Sequence, residues 1–187
     1  MGRETSKCSA RRLAQGHTQK LIGHGLDIGA GDDPFRPVAG TCRSWDQKHG
    51  HGDATNLIGI EANSLDYIYS SHCLEHLPDP TAALRRWIEV IKPQGFLYIV
   101  VPDFDLYEGG QKICNPFHKT AFSMHRLSDP SVPLFNILDI MRDFASMLKL
   151  WYVATCDDNY DYRLDRRIDQ TRRGAVCHIE VLAEKCD

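Results

Sequence analysis

Two groups of residues in this 187-residue sequence have the types and spacing needed to bind a nucleoside. The first is the segment 27–31, Asp-Ile-Gly-Ala-Gly, which follows a short apolar stretch. Its two glycines would allow a tight turn and let a ligand approach the bare backbone. The second is a pair of downstream acids. Asp46 stands 19 residues beyond Asp27, the spacing at which an acidic residue in nucleoside-binding α/β folds accepts hydrogen bonds from both ribose hydroxyls. Asp53 could accept a hydrogen bond from an adenine amino group.

A dinucleotide fits the glycine-rich segment poorly. Its fingerprint requires a third glycine, and Pro34 stands at that position. The adjacent carboxylates, Asp32 and Asp33, would repel a pyrophosphate, whereas they would attract a ligand that carries ammonium and sulfonium charges. In the simplest alternative, the glycines form only a turn, Asp27 caps it, and the downstream acids are ordinary surface residues.

Histidines are the candidates for proton transfer. His72 lies at the carboxyl end of a predicted strand, and His118 lies in a long polar segment. Either could accept the proton of a hydroxyl, because histidine titrates near neutral pH. His76 is expected to be a structural histidine bonded to backbone. His49 and His51 have no further partners at ligand spacing, so we expect them to be solvated and expect no metal.

The elements that must position these residues alternate between strands and helices. One helix is marked by Asp79 as its cap and Pro80 in its first turn, and it ends at residues 92–95, Lys-Pro-Gln-Gly. A second helical pattern covers 134–148, and the glycine-rich turn is expected to lead from the first strand toward a helix. The predicted strands are 21–28, 42–46, 65–71, 96–101, 150–156 and 175–183. Residues 57–60 belong either to a loop or to an additional, weak strand.

This alternation predicts an α/β fold, a Rossmann-like, doubly wound, mostly parallel sheet with helices on both faces. The last two strands have no apolar helix between them, so the final strand is expected to be antiparallel. We expect a single domain over residues 1–187, with an N-terminal arm at 1–20. Residues 103–132 are too long for a simple connector and are expected to cover the substrate.

Composition narrows the class of protein. The net charge of −3 gives no basic field, so nucleic acid is not an expected partner. No apolar run is long enough to span a bilayer, so no membrane insertion is expected. The seven cysteines contain no Cys-x-x-Cys pair and indicate reduced thiols in a cytoplasmic protein. The sequence does not indicate an oligomeric state.

Residues 26–102 resemble the class I S-adenosylmethionine (AdoMet)-dependent methyltransferases of the type 11-like group. The similarity is carried by LDIGAG at 26–31, by GDAT at 52–55, and by the segment 64–103, which contains SSHCLEHLPDP and IKPQGFLYIVVPD. The resemblance implies AdoMet as cofactor, with Asp46 at the ribose and Asp53 at the adenine. It also implies that Asp27, Gly29 and Gly31 shape the methionine pocket and that Ser71 and His72 lie beside the methyl-bearing sulfur. Ala30 and Ala54 are further expected cofactor-binding residues.

Transfer of a methyl group to a hydroxyl or amine is the expected reaction. An enzyme of this kind mainly aligns nucleophile, carbon and sulfur, and such positioning can lower a barrier by roughly 7–11 kcal/mol. The segment 115–123 is similar to a loop in family members encoded with cell-surface polysaccharide genes, which favours a glycan or lipid-linked sugar as acceptor. A small molecule is an open alternative. Two other functions remain: an AdoMet-binding domain without turnover, and an oxidoreductase, which Pro34 disfavours.

Overall fold

A six-stranded sheet forms the core of the structure, a computed structural model that describes residues 4–187. The strand order is β2-β1-β3-β4-β8-β7; β1 to β4 run parallel, and β8 is antiparallel to both of its neighbours. The predicted fold class is confirmed. The strands are β1 (Gly23–Ile28), β2 (Gly40–Trp45), β3 (Leu65–Ser71), β4 (Ile91–Pro102), β7 (Leu148–Cys156) and β8 (His178–Lys185), and β5 (Ala121–Ser123) pairs separately with β6 (Leu134–Asn136).

One face of the sheet is covered by two helices, α3 (Pro80–Val90) and α4 (Ile137–Asp143). The α3 helix begins where the sequence predicts, because the Asp79 carboxylate accepts a hydrogen bond from the Ala82 N–H at 2.9 Å. Its Trp87 is fully buried, and the indole N–H donates to the Ala54 carbonyl at 2.7 Å. This bond ties the helix to the segment that contains Asp53.

The opposite face is covered by the N-terminal arm, which contains α1 (Glu4–Lys7) and α2 (Ser9–Ala14); the first three residues of the predicted arm lie outside the described range. Arg12 is 1% exposed, and its guanidinium donates to Glu180 at 2.7 Å and to the Tyr69 hydroxyl at 2.8 Å. Removing one partner of such a buried pair costs about 3–5 kcal/mol. The arm is therefore anchored to the sheet by charge.

The predicted helix after β1 is wrong. Within the described residues, 29–39 form a loop without helix, and this loop leads directly to β2. Pro34 and Pro37 interrupt the helical ladder, and the Phe35 N–H is already bonded to the Asp27 carboxylate at 2.7 Å. The short connection brings the ends of β1 and β2 together without an intervening layer.

Two further boundaries differ from the predictions, and one alternative is decided. Residues 57–60 form turns, which agrees with the loop and not with the weak strand. The helical pattern at 134–148 yields only α4, because the Asn136 side chain caps a helix that begins at Ile137. Residues 92–95 end α3 as predicted but lie inside β4 as a bulge, where Gln94 has φ of 64°. No helix in residues 4–187 is long and apolar enough to cross a membrane.

Candidate functional site

The glycine-rich turn lies where β1 ends. Gly29 and Gly31 adopt φ values of 80° and 51°, which favour glycine. A Cβ on Gly29 would overlap the Cys73 side chain, so the turn packs closely against the segment that follows β3. At Gly31 a Cβ would meet only the Gly29 carbonyl, at 3.9 Å. The outer side of the turn is therefore open to a ligand.

Asp46 is placed directly at this turn. Its Oδ2 accepts from the Gly31 N–H at 3.0 Å, and its Oδ1 accepts from the Lys48 N–H at 2.8 Å. Asp53 lies further out and is exposed, with its carboxylate accepting from the Thr55 N–H at 2.7 Å. The structure thus brings Asp46 into contact with the glycine turn and leaves Asp53 at its margin.

Asp27 lies beneath the turn and is 1% exposed. Its Oδ2 accepts the hydrogen bond from the Phe35 N–H, which fixes the path of the loop. Burial raises the pKa of Asp27 to about 7, and this hydrogen bond only partly offsets the rise. A nearby cation would favour its ionised form.

Ser71 and His72 end β3, beside the glycine turn. The Ser71 hydroxyl is buried and has no hydrogen-bond partner among the described residues. His72 has φ of 53°, a strained conformation for a residue with a side chain. Burial and the neighbouring His178 hold the pKa of His72 well below its ordinary value, so the ring is neutral.

His118 reaches the same region from the long loop. The loop docks on the turn after β3, because the Lys119 and Thr120 N–H groups donate to the Glu75 carbonyl at 2.7 and 3.1 Å. His118 is 8% exposed, and its Nδ1 lies 2.6 Å from Glu108 Oε1. The Glu108 carboxylate orients the ring and fixes the Nδ1 proton, which leaves Nε2 as the proton acceptor.

Glu75 links the two predicted histidines, and sequence analysis missed it. Its Oε1 lies 3.6 Å from His72 Nδ1 and 3.9 Å from His118 Nε2. The side chain is 1% exposed, and burial raises its pKa to about 8. The one signal in the sequence was its position three residues after His72. Glu108, also missed, gave no local signal, since its partner lies on another part of the loop.

His76 and the pair His49 and His51 behave partly as expected. The His76 Nδ1 bonds to the Phe117 carbonyl at 3.0 Å, as a structural histidine should, but its Nε2 lies 3.8 Å from Glu75 Oε1. His49 and His51 are exposed. His49 Nδ1 lies 3.4 Å from the Asp46 carboxylate, so this loop borders Asp46 and the glycine turn.

Two cavities border the ends of the strands. One, of about 570 Å³, lies between the N-terminal arm and residues 32–36. The other, of about 440 Å³, lies beyond the end of β4 and is lined by Asp103, Asp157, Tyr160 and other polar side chains. Both volumes fall in the usual range for small-molecule sites.

Residues 26–99 match the family model described as a methyltransferase domain. No curated protein matches the sequence. Among solved structures, a SAM-dependent methyltransferase from Archaeoglobus fulgidus is 18% identical, with a TM-score of 0.57 over 98% of this chain and 94% of that one. A SAM-dependent methyltransferase from Methanosarcina mazei is 14% identical, with a TM-score of 0.54 over 89% and 93%.

The [4+2]-cyclase SpnF has the same fold as well, at 13% identity and a TM-score of 0.53 over 95% of this chain and 82% of that one. The family match and the fold together imply S-adenosylmethionine as the cofactor.

Proposed function

We propose that this chain, whose residues 26–99 carry a methyltransferase domain, transfers the methyl group of AdoMet to a hydroxyl or amine. The acceptor belongs to a small molecule or to a glycan or lipid-linked sugar. One observation carries the proposal: the hydrogen bond between the Gly31 N–H and the Asp46 carboxylate at the ends of two adjacent parallel strands. In open α/β sheets, ligands bind outside the carboxyl ends of the strands.

The residues present fit the nucleoside. An ionised carboxylate has about four acceptor positions, and Asp46 uses one for each of two backbone N–H groups. The remaining positions suit the two ribose hydroxyls. The open side of Gly31 leaves room for the cofactor, and Asp53 would accept from the adenine amino group at the margin.

The amino-acid end of the cofactor would lie against the turn and the end of β3. The ammonium of the cofactor would stabilise the ionised form of Asp27, because burial alone disfavours that form. The unpaired Ser71 hydroxyl and His72 would lie beside the sulfur. Ala30 would contribute backbone only. Ala54 is held in place by the Trp87 indole.

When bound, AdoMet supplies a methyl group on a sulfonium whose thioether is already a good leaving group. The protein then has to align the acceptor and remove its proton. Of the two predicted bases, His118 is the better suited, since Glu108 fixes the proton on Nδ1 and leaves Nε2 to accept. His72 is a weaker base, because burial lowers its pKa.

Formation of S-adenosylhomocysteine tests the proposal. The purified chain is incubated with AdoMet and panels of sugar hydroxyls, small-molecule hydroxyls and amines, and the S-adenosylhomocysteine formed is quantified. Acceptor-dependent product is the expected result. Tight AdoMet binding with no product for any acceptor favours the second candidate, an AdoMet- or S-adenosylhomocysteine-binding domain without turnover. The [4+2]-cyclase with the same fold illustrates that the fold alone does not imply methyl transfer.

A further inference from the structure

Three potential metal ligands converge beside the site just described. Glu75, His76 and His118 each offer one ligand atom, and these atoms all lie within 4.8 Å of one another. The two imidazole rings meet edge to face, with centroids 4.9 Å apart. Glu75 is fully buried, and neither of its carboxylate oxygens has a hydrogen-bond partner among the residues that the structure describes. A buried carboxylate without a hydrogen-bond partner is energetically costly, so we expect Glu75 to bind a further group.

Hydrogen bonds to groups outside the cluster determine which ring nitrogen of each histidine carries the proton. The His76 Nδ1 lies 3.0 Å from the Phe117 carbonyl, which can only accept, so Nδ1 carries the proton. The His118 Nδ1 carries its proton toward Glu108 for the same reason. Both Nε2 atoms therefore present lone pairs toward Glu75. The Asn115 amide, 3.1 Å from the His118 Nε2, can donate to that lone pair, whereas Glu75 itself has no hydrogen-bond partner among the described residues.

We propose that Glu75, His76 and His118 bind a divalent transition-metal ion of the zinc class. Two histidines and one glutamate are a ligand set that zinc accepts, with a fourth position open to water or to an acceptor oxygen. The Phe117 carbonyl and the Glu108 carboxylate are the second-shell partners that metal-bound histidines require. His76 is 30% exposed at its side chain, which gives an ion a path to the site.

The distances suit a tetrahedral ion after a small contraction. Ligand atoms about 2.0–2.2 Å from zinc lie roughly 3.3–3.6 Å apart in a tetrahedron. Glu75 Oε1 lies 3.8 Å from His76 Nε2 and 3.9 Å from His118 Nε2, so these two distances need shifts of a few tenths of an ångström. The ligand atoms of the two histidines lie within 4.8 Å of each other, and rotation of the partly exposed His76 ring would close that distance. The Asn115 amide N–H, 3.1 Å from His118 Nε2, would give up its bond to that atom.

The site shares His118 with the proposed methyl transfer, and its catalytic meaning rests on that function. A bound ion would occupy Nε2 and remove His118 as a base. The acceptor hydroxyl would then lose its proton through coordination to the ion, which lowers hydroxyl pKa values. Binding of the ion itself does not depend on methyl transfer. The sequence-based expectation of no metal had considered only His49 and His51.

Metal titration of the full chain tests the proposal without cofactor or acceptor. The protein is stripped with EDTA, dialysed, and titrated with Zn²⁺ in a calorimeter. A parallel titration with Co²⁺ records the visible bands of a four-coordinate ion. We expect one equivalent to bind. E75Q and H118A should each weaken binding at least roughly 100-fold, and E108Q, a second-shell change, by about 10–100-fold.

Matched variants locate the ion. H24A changes an exposed histidine at the opposite end of β1 and should bind as the native chain does. Thermal unfolding checks that each variant is folded, and H118A stands as an independent test should E75Q fail to fold. Absence of stoichiometric binding, equal binding by native, E75Q and H118A, or loss of binding in H49A/H51A instead would each overturn the proposal. Stoichiometric binding by a chain that shows no methyl transfer would overturn only the proposed function.

Discussion

The glycine turn at β1 and the cluster around Glu75 lie at the ends of neighbouring strands but are built in opposite ways. At the turn, the polar groups are paired with one another: Asp46 accepts from Gly31 and from Lys48. Around Glu75, a buried carboxylate has no hydrogen-bond partner within residues 4–187, and His118 belongs to a separate loop. The first region is preorganised by local contacts, as the proposed nucleoside site requires. The second is assembled by loop docking around unsatisfied polar groups, which the proposed ion or a proton would satisfy.

The largest expected effect is the loss of kcat when His118, in the region around Glu75, is removed. In H118A, kcat for a hydroxyl acceptor should fall roughly 10²–10⁴-fold, the usual contribution of a general base, and a large loss is expected also if His118 instead holds the proposed ion. The affinity for S-adenosylhomocysteine should stay within about twofold, since the nucleoside region is untouched. Steady-state kinetics and calorimetry measure the two quantities. H72A should lose less, and kcat values equal to the native one in both variants would exclude base catalysis by either histidine.

Removal of Asp46 should break the first region instead. D46A should bind S-adenosylhomocysteine roughly 100-fold more weakly, because hydrogen bonds to a charged group contribute about 1.5–3 kcal/mol each. D53A is the matched comparison, an acid at the exposed margin of the same site, and should lose less than about tenfold. Equal losses in the two variants, measured by calorimetry, would contradict the central position given to Asp46.

The pH dependence of stability should sharpen the comparison at Asp27. Burial raises its pKa to about 7 in the folded chain, against an ordinary value of 3.8, so the folded state holds a proton that the unfolded state releases. Its contribution to stability is therefore full below pH 4 and is lost as pH rises to 7. The loss between pH 5 and 8 should be roughly 2–3 kcal/mol. Urea unfolding of D27N should show a flatter pH profile; an unchanged profile would argue that Asp27 is already ionised.

Trp87 offers the smallest of these effects. W87F keeps an aromatic ring but removes the hydrogen bond to the Ala54 carbonyl, which should lower the free energy of unfolding by about 1–2 kcal/mol. Because that bond holds the segment beside Asp53, cofactor affinity should also fall a few-fold. W151F, at an exposed tryptophan, is the control and should change stability by less than about 0.5 kcal/mol. An unchanged cofactor affinity in W87F would show that α3 does not contribute to cofactor binding through this bond.

Sequence patterns predicted the elements whose signals are local. The strand β3 was predicted at its observed bounds, and α3 begins at its predicted cap, since Asp79 and Pro80 act within one turn. The contact between Gly31 and Asp46 also follows from the fold, because adjacent parallel strands end at the same edge. The helix expected after β1 failed because Asp27 and two prolines set the local path.

The Glu75 cluster could not be predicted in the same way. Its members meet only because the loop at 115–120 folds back on the turn after β3, and no periodicity records such a contact. Glu108 resembles any surface acid in the sequence, although in the structure it orients His118. Groups whose partners are distant in the chain become visible only once the fold places them together.

Calorimetric titration of the native chain with S-adenosylhomocysteine tests the central claim most directly. The account predicts binding of one equivalent, with an affinity that falls sharply when Asp46 is replaced. Absence of any binding to that nucleoside or to AdoMet at high protein concentration, by a chain shown to be folded, would contradict it.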